Sequence, residues 1–253
     1  MNANDSIKRY SRQIILKEVG GQGQKLLMKS KVLIIGLGGL GSPVLQYLAA
    51  SGVGTIGLAD NDKVDLSNLH RQIIFSLKDI GSYKVSKAKK FISAVNSDIN
   101  VIPYKQKVDL LNVDKIISKY DIIVDCTDNH SSKLIINDAC YRRKKTLVYA
   151  SVSGFFGQVS TFKSFKIDGT GNPYPSYRCL KINQNNEDDC EHLGVLGPIA
   201  GVLGSIQATE VIKQILDEKE NLLGQLLIFD GLSYRMKLIK INWDQNNSLN
   251  GKS

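Results

Sequence analysis

The sequence predicts an α/β protein: a doubly wound, mostly parallel, Rossmann-like sheet, extended by antiparallel strands and preceded by N-terminal helices. Three observations carry that expectation. The run Val32-Leu-Ile-Ile35 enters Gly36-Leu-Gly38-Gly39-Leu-Gly41 and then a helical stretch, the order strand, glycine turn, helix that builds a phosphate cradle. A second apolar strand closes on Asp60, nineteen residues past Gly41, where an acid can accept from a ribose hydroxyl. Up to residue 150, short apolar runs alternate with amphipathic stretches, the signature of parallel crossover units.

Residues 5–30 read as helical, with Arg9, Arg12 and Lys17 among apolar positions. Residues 32–35 form the first strand, 41–51 a helix and 55–60 the second strand. Lys84–Val95 is an amphipathic helix, because Val85, Ala88, Phe91, Ile92 and Val95 recur every three or four residues. Asn100–Tyr104 is a third strand, Val113–Ser118 a short helix, Asp121–Asp125 a buried strand, Lys133–Arg142 a helix and Thr146–Ala150 a further strand. The pattern then changes. Gly157–Lys163 alternates like a half-exposed strand, and the polar stretch Lys181–His192 reads as a mobile loop. A long helix over about 197–216 precedes a hairpin, Leu226–Asp230 with Met236–Ile241. The expected organisation is one domain over 1–245, with a nucleotide-binding core at about 30–150 and a disordered polar tail over 246–253.

At 253 residues, 42% hydrophobic and 23% charged, the chain has the balance of a globular domain with a full core. Its 33 Lys and Arg against 24 Asp and Glu give a formal charge of +9. Scattered lysines fit a composition bias or an acidic protein partner equally, and fit nucleic acid less well. Residues 1–6 hold no apolar signal core, and the apolar window Leu193–Thr209 is interrupted by four glycines and a proline. A cytoplasmic protein with reduced cysteines and no membrane span is the expectation.

The glycine turn and Asp60 alone fit NAD, FAD, SAM or ATP about equally. The segment past the second strand narrows the choice. It carries Asp62, Asp65, Ser67, Asn68, Arg71 and Gln72, and the cofactor crevice of such a sheet opens there. Arg71 offers a planar fork for phosphate, and Lys84 opens the next helix. Asp125-Cys-Thr-Asp128-Asn129 leaves a buried strand at its carboxyl end; a carboxylate there beside phosphates calls for Mg²⁺, and a helix cap is the plainer alternative for it.

Together these segments resemble the ThiF/MoeB/HesA family, bacterial relatives of ubiquitin-activating enzymes, over about residues 7–241. The resemblance rests on Arg9-Tyr-Ser-Arg12-Gln-Ile, the glycine turn, Ser67-Asn68-Leu69-His70-Arg71-Gln72, Asp125-Cys-Thr-Asp128-Asn129, Tyr177-Arg-Cys-Leu180, Cys190 with Gly194-Val-Leu-Gly-Pro198, and Phe229-Asp-Gly231. It implies ATP-dependent adenylylation of the C-terminal glycine of a ubiquitin-like sulfur carrier ending in Gly-Gly, with release of pyrophosphate. It also implies a homodimer, ATP and Mg²⁺ as ligands, and a carrier-binding and crossover-loop region at about 151–245. Gly38, Gly39 and Gly41 are implied to pass close to ATP and Asp60 to hold the ribose. Asn68, Arg71 and Lys84 would contact phosphates, with Asp62, Ser67, Leu69, His70, Gln72 and Asn129 in the same nucleotide site. Asp128 would place Mg²⁺, and Arg12 would reach the phosphates of the other subunit.

Within the family, Val53–Asp60 and the Phe-Asp-Gly run put ThiF-like members first, hence a ThiS-type carrier for the thiamine thiazole. A MoaD-type carrier for molybdopterin is the alternative. Family members usually carry two Cys-x-x-Cys pairs on a structural zinc. Here the first reads Ser176-Tyr-Arg-Cys179 and no cysteine follows Cys190, so no zinc is expected. Cys190 aligns with the family cysteine that bonds to a carrier thiocarboxylate, although Asp188, Asp189 and Glu191 crowd it. Cys126 and Cys140 are expected to be structural. Two further readings remain: a carrier-binding partner that has lost activity, and an NAD-dependent dehydrogenase, for which no proton relay is visible.

Overall fold

The computed structural model describes residues 3–181 and 194–252. Cys190 and most of the expected loop Lys181–His192 lie outside the described residues. Among them, eight strands form one sheet: β1 (Lys31–Ile35), β2 (Thr55–Ala59), β3 (Asn100–Tyr104), β4 (Ile122–Asp125), β5 (Thr146–Ser153), β6 (Phe156–Phe162), β7 (Gln225–Asp230) and β8 (Arg235–Lys240), in the order β3-β2-β1-β4-β5-β6-β7-β8. The first five are parallel and the last three antiparallel, as the sequence indicates.

The helices are α1 (Ala3–Ile14), α2 (Gly20–Lys29), α3 (Gly41–Ala50), α4 (Lys84–Val95), α5 (Val113–Ile117), α6 (His130–Arg142) and α7 (Gly197–Leu216). The helical stretch expected over 5–30 is divided into two helices. Gly20 enters α2 at φ +55°, a left-handed conformation through which a right-handed helix does not propagate.

Successive residues of β1 serve opposite faces. Val32 and Ile34 join a core with Leu45 and Leu48 of α3, Val85 and Ile92 of α4, and Leu203 and Val211 of α7. Leu33 and Ile35 join a second core with Ile116 and Ile117 of α5, Ile136 and Ala139 of α6, and Phe162. Burial on both faces explains why this strand reads as an unbroken apolar run.

Strand order reverses between β1 and β4, and Ile35 is level with both Ala59 and Asp125. The loops after β1, β2 and β4 therefore leave the sheet side by side, and a crevice opens outside their carboxyl ends. Helices α1 and α2 pack at the opposite edge. There Gln13 Nε2 donates to Ser51 O at 3.0 Å, Arg9 to Val95 O at 2.9 Å, and Asn96 Nδ2 to Tyr10 Oη at 2.8 Å.

The tail expected to be disordered from Asn246 is instead folded back on the domain. Asn250 Nδ2 donates to Ser164 O at 3.1 Å and Tyr174 O at 3.0 Å, and Trp243 Nε1 to Asn250 O at 3.2 Å. Carboxamides that look like solvated loop residues in the sequence satisfy buried carbonyls here.

Candidate nucleotide site

The glycine turn is the backbone of the crevice. Gly36 sits at φ +91°, and a Cβ on it would lie 2.7 Å from Cys126 O. A Cβ on Gly41 would collide with Gly36 O. Both positions require glycine, and together they fold the N-terminus of the ten-residue helix α3 over the end of β1, where Ser42 N–H already donates to Gly38 O at 3.0 Å and Pro43 carries no N–H, so the positive end of the helix dipole rather than a row of free donors is set at the crevice. Gly38 and Gly39 border the polar segment: Cβ atoms on them would lie 4.0 Å from Gln72 Nε2 and 3.5 Å from Arg71 Cγ.

Asp60 ties the two halves of the site together. Its Oδ2 accepts from Leu37 N–H at 2.7 Å and its Oδ1 from Asp62 N–H at 2.8 Å. Burial pushes the Asp60 carboxyl above its ordinary range, opposed by the Leu37 N–H and by the charge of Lys84. Lys84, at the first position of α4, is 5% exposed, and its Nζ lies 2.8 Å from the exposed Asp62 carboxylate.

Between them, residues 65–72 fold into a capped turn. Asp65 Oδ1 accepts from Ser67 N–H at 2.8 Å and Ser67 Oγ at 2.7 Å, and Asn68 Oδ1 accepts from Asp65 N–H at 3.2 Å. The Ser67 hydroxyl and the Asn68 carbonyl thus hold the turn itself, which leaves the Asn68 amide as the donor for a ligand. Arg71 donates to Ser67 O at 3.0 Å and lies 2.8 Å from His70 Nε2. Leu69 packs against the core rather than projecting into the crevice. Gln72 is 2% exposed, and its Oε1 meets no donor among the described residues.

At the end of β4, Asn129 caps α6: its Oδ1 accepts from Ser132 N–H and Ser131 Oγ, both at 2.9 Å. The cap considered for Asp128 is therefore supplied by its neighbour. Asp128 is exposed, touched by Asn129 Nδ2 at 3.4 Å. A single exposed carboxylate beside a phosphate cradle suits Mg²⁺, which is held by one or two carboxylates together with substrate phosphates. Among the described residues no group of three or more His, Cys, Asp or Glu could hold a metal ion by itself.

Arg12 is not brought to this crevice. It lies on α1, which packs on the far ends of α3 and α4.

The sequence reading missed a buried layer beneath Asp128. Lys133 Nζ donates to Thr127 O at 2.6 Å and Ala150 O at 3.0 Å, and stands 3.5 Å from Asp125 Oδ2. Gln207 of α7 donates to Asp125 O at 2.9 Å and Val148 O at 3.1 Å, and accepts from Cys126 Sγ at 3.4 Å. A signal was present: Lys133 shares the stripe Ile136, Asn137, Cys140 on α6, all buried, and a lysine in such a stripe needs a buried partner. Burial pushes the thiols of Cys126 and Cys140 up, in keeping with structural roles.

The first of the two sites at which the resemblance implies a Cys-x-x-Cys pair, Ser176–Cys179, holds a hydrogen-bonded clasp. Asn247 Nδ2 donates to Ser176 Oγ at 2.7 Å and to Cys179 Sγ at 3.1 Å, and Ser176 N–H points at Cys179 Sγ at 3.4 Å. One thiol with a hydroxyl and a carboxamide does not make the closed thiolate or imidazole tetrahedron of structural zinc.

A strand-end crevice on a sheet of this order, with a capped polar segment after β2, defines the class, and the chain belongs to the ThiF family, whose domain matches residues 10–250. It is 42% identical to a "Probable molybdopterin-synthase adenylyltransferase" of Porphyra purpurea over 92% of this chain and 60% of that protein. It is 39% identical to the "SAMP-activating enzyme E1" of Haloferax volcanii over 92% of this chain and 84% of that protein. Against the crystal structure of E. coli MccB with ATP it has a TM-score of 0.81 and 26% identity, covering 95% of this chain and 74% of that one. The chain spans 60% or less of the length of the first three curated relatives it matches. Among the described residues no helix is long and apolar enough to cross a membrane.

Proposed function

We propose that the protein adenylylates the C-terminal glycine of a ubiquitin-like sulfur carrier of the MoaD type, in molybdopterin synthesis. The names of its curated relatives support this carrier better than the ThiS type that the sequence put first. One observation carries the reaction class: Asp60 is tied to the glycine turn through Leu37 N–H and to Asp62, which holds Lys84, while Arg71 lies beside Gly39 and the exposed Asp128 follows the adjacent strand β4.

A carboxylate oxygen of the carrier's glycine attacks the α-phosphorus of ATP. A carbonyl O–P bond forms, the bond from α-phosphorus to the bridging oxygen breaks, and pyrophosphate leaves with that electron pair. The substrate carboxylate is already ionised, so no general base is needed, and the protein's work is positioning and absorbing charge. Asp60 accepts from the ribose. The α3 N-terminus, the Asn68 amide, Arg71 and Lys84 bind the phosphates, with Asp62 holding Lys84 in place. Mg²⁺, held by Asp128 and phosphate oxygens, would neutralise charge on the leaving group. A homodimer would bring Arg12 of one subunit to the phosphates of the other, and Cys190 is a candidate for later sulfur chemistry on the carrier.

The test is ATP–pyrophosphate exchange with MoaD- and ThiS-type carriers in turn. Exchange with the MoaD type alone supports the whole reading. Exchange with the ThiS type alone reverses the choice of carrier. No exchange with either, from folded protein that binds ATP, favours the inactive-partner alternative.

A further inference from the structure

Lys133 is a buried charge that the proposed reaction does not use. It is 4% exposed, and its partner Asp125 is fully buried. A buried ion pair is a weak source of stability, because desolvation of both charges offsets their attraction, and an apolar pair of similar volume is often as stable. The arrangement around it is specific. The ammonium donates to Thr127 O at 2.6 Å and Ala150 O at 3.0 Å, and stands 3.5 Å from Asp125 Oδ2, an ion-pair contact that leaves this oxygen without a hydrogen bond. Asp125 in turn holds the same turn from the other side, accepting from Thr127 N–H at 2.9 Å and Thr127 Oγ1 at 2.6 Å.

These contacts land on the last residue of β4, on Ala150 within β5 and on the residue before Asp128. A trans peptide is planar, with its carbonyl and N–H pointing opposite ways. Since Thr127 O points down to Lys133, the N–H of Asp128 points away from it. The plane of the Thr127–Asp128 peptide, and with it the departure direction of the Asp128 side chain, is fixed from beneath by one ammonium.

We propose that Lys133 is a positioning residue: through Thr127 O it orients the Asp128 peptide, and so sets the affinity of the site for the magnesium–ATP pair. This rests on the assignment of Asp128 to magnesium and extends it to a residue that touches neither nucleotide nor metal. The charge-conserving Lys133→Arg keeps a cation at the two carbonyls, whereas Lys133→Met keeps the apolar stem and removes every donor.

The experiment measures ATP binding by calorimetry to the full chain across a magnesium titration and again in EDTA, for wild type, Lys133→Met and Lys133→Arg. In Lys133→Met the half-saturating magnesium concentration rises about tenfold or more, the size of effect that groups behind a metal ligand exert, while ATP affinity in EDTA is unchanged. Lys133→Arg stays within about threefold of wild type for magnesium, since the charge is retained. A folded Lys133→Met with the wild-type magnesium dependence overturns the inference, as does an equal loss of affinity with and without magnesium. Should Lys133→Met fail to fold by circular dichroism, Lys133→Gln, with donors but no charge, is read against the same two outcomes. Wild type that binds magnesium–ATP but exchanges no pyrophosphate removes the adenylylation reading and leaves this one standing.

Discussion

At the carboxyl edge of the parallel half of the sheet, polar side chains are tied to backbone atoms of neighbouring strands and loops: Asp60 to Leu37 and Asp62, Lys133 to Thr127 and Ala150, and Gln207 of α7 to Asp125 and Val148. Across the antiparallel half, β8 is exposed along its whole length, and the chain beyond it is held by two asparagines, Asn247 and Asn250. The first region spends its hydrogen bonds on fixing a crevice; the second uses them to close the fold. Substitutions of the exposed side chains of the first should therefore alter chemistry with little change in stability, and substitutions in the second should do the reverse.

The largest separation is expected at Asp128. Because it is exposed and Asn129 supplies the helix cap, Asp128→Ala should lower carrier-dependent pyrophosphate exchange by about 10³-fold while the Tm stays within a degree or two. A matching fall in Tm would mean that the turn, rather than the carboxylate, is what matters. Lys84→Ala comes next, with a loss of exchange of about 10²-fold. Its partner Asp62 is exposed but Lys84 itself is buried, so the cost in stability, followed by chemical denaturation, should be about 1–2 kcal/mol, mostly from the lost packing of the lysine stem.

On the other side of the comparison, Asn247→Ala leaves Ser176 and Cys179 without their shared donor. It should lower stability by about 2 kcal/mol, roughly 4–8 °C in Tm by calorimetry, with exchange unchanged. A chelator should not reproduce that fall, since the clasp is made of hydrogen bonds; a fall in wild-type Tm on adding EDTA would contradict this.

A smaller effect concerns pH. Burial raises the Asp60 pKa above 3.8, so the folded protein protonates there at a higher pH than the unfolded chain does. Stability from Asp60 is thus fully present below pH 3.8 and is lost as pH rises through the raised value. ATP affinity moves the other way, weakening as pH falls through that window, because the carboxylate is the ribose acceptor. Asp60→Asn should flatten both trends when ATP binding and Tm are followed over the same range. The smallest expected change is in Met236→Lys on β8, which is 57% exposed: Tm should move by no more than about 1–2 °C, and a raised KM for the carrier would put this strand at the docking surface.

Much of the crevice was legible because its signals are local. A glycine turn, an acid at a strand end and a lysine opening a helix are each set by backbone geometry within a few residues, so spacing alone identifies them. Leu69 shows the limit of that approach: it sits inside a polar motif, yet it packs on the core, because a capped turn has an inside as well as an outside. Asn129 and Asp128 are adjacent acceptors, and only the folded helix shows which of them caps it.

The sequence by itself determined the α/β class, the order of strands and helices, and the residues that gather where the strand order reverses, because periodicity and turn chemistry act over short stretches of chain. Tertiary structure alone decided that Lys133 lies beneath Asp128, that Gln207 joins β4 to β5, and that Asn247 meets Ser176 and Cys179. Those contacts join residues 6, 17, 59, 68, 71 and 82 positions apart. A buried polar group must find a partner wherever packing brings one, and that position is not written in the spacing of neighbouring residues.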